Sequence, residues 1–110
     1  MKAYINQNKD RFLSELFELL RIPSVSSMAA HKPDMEKAAA KYAQLLLAAG
    51  CDTAKVYPTK GHPVIFGQKI IDKAMPTILV YAHYDVQPAD PFNLWTTPPF
   101  EPQVRDGAIY

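Results

Sequence analysis

An apolar run that leads straight into polar chemistry constrains this chain most. Residues 77–88 read TILVYAHYDVQP, so the apolar residues 78–82 feed directly into His83, then Asp85, then Pro88. An apolar run without alternation suits a strand covered on both faces, as in a helix-flanked sheet. Residues 77–82 are therefore expected to form a buried strand. Side chains two apart on an extended segment project to the same side, so His83 and Asp85 can face one pocket. They would stand just past the carboxyl end of the strand, where open α/β sheets hold their ligands.

A histidine in that place can bind a metal through one ring nitrogen, provided an acceptor fixes the proton on the other. A neighbouring carboxylate is a common choice. The spacing alone leaves other readings open: a histidine–aspartate hydrogen bond that closes a strand end, or a histidine general base working without metal. A zinc site needs three or four protein ligands, and one histidine with one aspartate does not make that set.

The preceding sequence supplies a scaffold. Phe12, Leu13, Leu16, Phe17 and Leu20 fall at helical spacing and predict one helix over about residues 2–20, its apolar stripe packed in a core. Pro23 ends it, because the residue before a proline avoids helical geometry, and RIPSVSS (21–27) follows as a loop. Lys32-Pro33-Asp34 opens a second helix, with proline and acidic residues suited to its first turn. Met35, Ala38, Ala39, Tyr42, Leu46 and Ala49 form its packing face, and Gly50 is the expected left-handed cap. Residues 52–57 and 63–68 read as strands around a turn at Thr59-Lys60-Gly61, and Asp72 to Pro76 as a further turn. His31 reads as a loop or capping residue and His62 as a solvated loop residue.

After Asp85 come Pro88, Pro91, Pro98, Pro99 and Pro102. Prolines at that density exclude a helix and give a stiff extended segment, in which Trp95 and Phe100 supply cover or the wall of a pocket. Asp106-Gly107 between apolar residues signals a tight hairpin. Helices first and strands after them point to a layered α/β domain.

Composition removes several functional classes. The chain has 110 residues, enough for one modest core, and its net charge of +1 leaves no basic footprint for nucleic acid or an anionic membrane. Cys51 is the sole cysteine. It cannot form an internal disulfide and fits a small residue after a helix end in a reducing, cytoplasmic compartment. Polar residues interrupt any signal-peptide core near the N-terminus.

The longer string carries more than the spacing. ILVYAHYDVQP (78–88), Trp95, PFEP (99–102) and RDGAIY (105–110), with the opening LRIPSVS (20–26), resemble the M20 metallopeptidase family, above all its carnosine and cytosolic non-specific dipeptidase-like branch. The resemblance runs through all 110 residues with its blocks in order. It implies the N-terminal portion, residues 1–110, of a catalytic domain built on a helix-flanked mixed sheet. It further implies a hydrolase that uses two zinc ions to cleave dipeptides or short peptides with a metal-activated water. His83 matches the family's zinc-binding histidine and Asp85 the catalytic aspartate that supports it. Ala82 stands where many relatives have glycine. The bridging aspartate, the general-base glutamate, the remaining ligands and a dimerisation or lid domain are implied to lie beyond Tyr110, in a homodimeric parent. The piece itself is expected to be inactive. The alternatives are an N-acyl-amino-acid deacylase or desuccinylase of the same family, or a short non-catalytic binding module.

Overall fold

The computed structural model describes residues 1–110 and divides them into two bodies, Met1–Pro23 with Pro88–Tyr110, and Ser24–Gln87. In the first body the expected single helix is two: α1 (Lys2–Gln7) and α2 (Lys9–Leu20). Asn8 separates them at φ −110° and ψ 10°. Its side-chain amide donates to the Tyr4 carbonyl at 2.9 Å. An asparagine that competes for backbone carbonyls in this way favours helix ends over helix interiors. Tyr4 and Phe12 pack together across Asn8 with ring centroids 6.1 Å apart and ring planes tilted by 55°.

The apolar stripe of α2 corrects a second expectation. Phe12, Leu13, Phe17 and Leu20 are half-buried, Leu16 is exposed, and no residue of α2 is fully buried. The periodicity is there, but nothing in the structure completes its cover.

The proline-rich segment contains one 3₁₀ turn, Phe92–Leu94, and no other helix. Trp95 Nε1 donates to the Ala89 carbonyl at 2.8 Å. Phe92, Trp95, Pro98, Pro99 and Phe100 line a hollow of about 530 Å³. The closing hairpin forms as the sequence predicts. β3 (Val104–Arg105) pairs antiparallel with β4 (Ala108–Ile109). Asp106 and Gly107 both take positive φ, 50° and 77°, the geometry a two-residue turn requires. Gln103 and Tyr110 exchange both backbone hydrogen bonds at 2.9 Å, closing the hairpin.

The second body is built on α3 (Lys32–Ala48), which packs against β1 (Thr53–Tyr57) and β2 (Val64–Gln68). Proline lies in the first turn, and Met35, Ala38 and Ala39 form a fully buried face. Gly50, at φ 95°, ends the helix. Its N–H reaches the Leu47 carbonyl at 2.9 Å, and the Cys51 N–H reaches Leu46 at 3.0 Å. This pair of bonds is the Schellman closure. β1 and β2 are antiparallel, with Thr53 opposite Gln68 and Tyr57 opposite Val64. Gly67 lets the helix lie close, because a Cβ there would stand 3.0 Å from Leu46 Cδ1.

Residues 77–82 do not form the buried strand that their composition predicts. They are not assigned to any strand, and Ile78, Leu79, Val80 and Tyr81 are between 84% and 91% exposed. The reason is topological. β1 and β2 pair with each other, β3 and β4 with each other, and no strand of the chain lies beside residues 77–82. No helix is long and apolar enough to cross a membrane.

Candidate active-site segment

Two loops of the second body meet at residues 83–86. Residues 24–27 form no helix or strand, yet they hold some of the most deeply buried residues of the chain, Ser24 and Val25 among them. Val25 forms a parallel bridge with Val86, and the Val86 N–H donates to the Ser24 carbonyl at 2.9 Å. The Ser24 hydroxyl donates to the Tyr84 carbonyl at 2.9 Å. Tyr84 in turn donates its hydroxyl to the Pro63 carbonyl at 2.6 Å and packs against Tyr42 of α3 with centroids 6.0 Å apart and ring planes tilted by 56°. Backbone bonds on both sides of residue 85 thus set its direction.

His83 and Asp85 come together as the spacing predicts. His83 Nδ1 lies 3.0 Å from Asp85 Oδ1 and 3.1 Å from the Asp85 carbonyl oxygen. Both partners are acceptors, so Nδ1 carries the proton. In the neutral ring Nε2 then keeps its lone pair, on a side chain that is 78% exposed. That is the tautomer a metal-binding histidine needs.

The other oxygen of Asp85 is taken as well. The Ser26 hydroxyl donates to Asp85 Oδ2 at 2.5 Å. This bond first, and the His83 contact after it, hold the Asp85 carboxyl below its ordinary range, against an opposing effect of burial. Burial, and then the Asp85 charge, push the Tyr84 phenol up.

Sequence reasoning missed two participants. Ser26 was part of an undifferentiated loop. His62, read as solvated, is half-buried and donates Nε2–H to the Ser26 carbonyl at 2.8 Å. Local patterning carries no signal for either, since their partners lie 59 and 36 residues away. His31, by contrast, keeps its capping place, with Nδ1 2.8 Å from Asp34 Oδ2 at the start of α3.

As a metal centre the segment is partial. No three His, Cys, Asp or Glu side chains converge anywhere in the chain. His83 fits one ligand, while both oxygens of Asp85 are engaged by neighbours and suit it to orienting that ligand. The residues present therefore do not make a complete zinc site.

No protein-family model matches the chain. Individual proteins do. It is 36% identical over 106 residues to the cysteinylglycine-S-conjugate dipeptidase of Corynebacterium striatum, covering 96% of this chain and 23% of that protein. It is 28% identical over 109 residues to a Halalkalibacterium halodurans deformylase that acts on N-formyl-4-amino-5-aminomethyl-2-methylpyrimidine, covering 97% of this chain and 25% of the enzyme. Among solved structures it resembles the di-peptidase Dug1p of Saccharomyces cerevisiae, with a TM-score of 0.82 and 30% identity over 92% of this chain and 23% of that one. The chain thus spans about a quarter of the length of the relatives it matches. Sequence blocks, fold and near-complete coverage of the chain agree: it belongs to the M20 peptidase family.

Proposed function

We propose that this chain is the N-terminal part of a zinc-dependent dipeptidase, to which it contributes one metal-binding histidine, His83, and its orienting carboxylate, Asp85. The observation that carries this reading is the likeness to a cysteinylglycine-S-conjugate dipeptidase across 96% of the chain. The Nδ1–H tautomer of His83, with Nε2 left free, supports it.

Two zinc ions, when bound by the whole protein, would supply Lewis-acid polarisation and an activated water. The residues of this chain do the local work. Asp85 holds the His83 proton on Nδ1 and raises the basicity of Nε2. Its negative charge would also offset the charge of metal ions held by the whole protein. A short peptide is the proposed substrate, a homodimer the proposed assembly of the whole protein, and the cytoplasm the proposed setting. On this reading the 110 residues alone do not turn over substrate.

Zinc analysis and a substrate panel on the longer protein test the proposal. His83→Ala should lower bound zinc and dipeptide hydrolysis together, and Asp85→Asn should lower hydrolysis more than zinc. Wild-type activity in either variant would overturn the assigned roles, and turnover by the purified 110-residue chain would refute its inactivity. The deformylase likeness favours a second reading, hydrolysis of an N-acyl group. Preference for N-formyl or N-succinyl substrates over dipeptides in the same panel would select it.

A further inference from the structure

Asp85 needs a fixed direction to orient His83, and the backbone around it does not supply that alone. The Val25–Val86 bridge and the Ser24 bonds fix the main chain, but a carboxylate still rotates about its side-chain bonds. One oxygen is spent on His83 Nδ1. The other receives the Ser26 hydroxyl. Ser26 is in turn fixed from behind, where His62 Nε2–H donates to its carbonyl. His62 and Pro63 lie in the turn before β2, and Pro63 accepts the Tyr84 hydroxyl. Three segments, 24–26, 62–63 and 83–86, therefore close on one carboxylate.

We propose that Ser26 is a positioning residue for the His83–Asp85 pair: its hydroxyl locks the Asp85 carboxylate in the rotamer that keeps the His83 proton on Nδ1. The role rests on the reading of His83 as a ligand, since only a ligand needs Nε2 kept free. Ser26 bonds the Asp85 carboxylate and acts through it. A donor at this place also satisfies the second carboxylate oxygen, which would otherwise be free to swing toward His83 or toward solvent.

The test is a ¹⁵N side-chain spectrum of the histidines in the metal-free 110-residue chain at about pH 8. In the wild type, His83 should be mainly Nδ1–H. Ser26→Ala should shift it toward Nε2–H, lowering the Nδ1–H to Nε2–H ratio roughly two- to tenfold, the range that one net hydrogen bond carries. Ser26→Thr, which keeps the hydroxyl, should restore the ratio. Ser26→Cys keeps the size with a weak donor and should behave like Ser26→Ala. Asp85→Ala sets the range that the carboxylate alone contributes, because the residue 85 carbonyl still accepts from Nδ1. His31, bonded to Asp34 instead, should not move in any variant.

An unchanged His83 ratio in Ser26→Ala or Ser26→Cys would overturn the proposal. So would loss of the helical circular dichroism signal in both, since Ser26 would then be a structural residue only. The functional reading fails differently: a normal His83 tautomer in a longer protein that neither binds zinc nor hydrolyses peptides would sink that reading and leave the Ser26 role intact.

Discussion

The second body holds two apolar regions of opposite fate. On α3, Met35, Ala38 and Ala39 are fully buried. At residues 78–81, side chains at least as apolar stand almost wholly in solvent. Hydrophobicity does not separate them; the supply of partners does. α3 has β1 and β2 against it, with Gly67 and the alanines admitting close approach. Residues 77–82 have no neighbouring strand. The contrast teaches that a buried-strand signature records a need for cover, which a chain meets only if a partner is at hand.

The sharpest way to break the contrast is a pair of truncations. Met35 is 1% exposed, and Met35→Ala should cost about 2–5 kcal/mol, a large share of a small domain's stability. Leu79→Ala should stay within about 0.5 kcal/mol. Urea denaturation of both variants decides it. A comparable loss at Leu79 would mean that the strip is covered in solution.

Overpacking comes next. A Cβ at Gly67 meets Leu46 and, at 3.4 Å, the Thr53 carbonyl. Gly67→Val should therefore destabilise by about 1–3 kcal/mol, measured in the same denaturation series. A neutral effect would show that α3 sits on the hairpin more loosely than the contacts imply.

An uncovered strip has a further expected outcome, concentration-dependent association. Exposed apolar segments with free backbone groups recruit other chains. Light scattering should show mass rising with concentration, and Leu79→Lys should suppress the rise. A strict monomer across the range would count against free pairing groups at residues 77–82.

The smallest expected effect concerns pH. The folded-state pKa of Asp85 is depressed, chiefly by Ser26. Its contribution to stability is thus present above the unfolded carboxylate value of about 4 and lost as pH falls through the lower folded value. Ser26→Ala should flatten this acid limb, and denaturation midpoints below about pH 5 would register it. An identical acid limb in the variant would remove Ser26 as the main cause of the shift.

What the sequence made legible was local. Gly50 marked a helix end, Asp106-Gly107 a hairpin, Pro33 a helix start and Pro23 a helix stop, because each acts through its own backbone geometry. The meeting of His83 and Asp85 was legible for the same reason, being a property of two residues on one extended segment. Asn8 was missed because the apolar stripe that predicts the helix begins only at Phe12, while the asparagine side chain competes for a carbonyl upstream of it. The α2 stripe and residues 77–82 were misread because an apolar pattern, periodic or continuous, calls for cover without naming what supplies it. Ser26 and His62 were invisible because their bonds reach across the chain, where no spacing rule applies.

That reach bears on how the chain comes to order. Helix α3 and the β1–β2 hairpin join near neighbours, and such elements form in about microseconds. The Ser24 and Ser26 bonds join residues 60 and 59 positions apart, and loop closure grows costlier with length, by roughly 0.6 kcal/mol for each doubling. Contacts of that separation are the slow ones in a small domain. The orientation of His83 is thus expected to come late, after the scaffold beside it has formed.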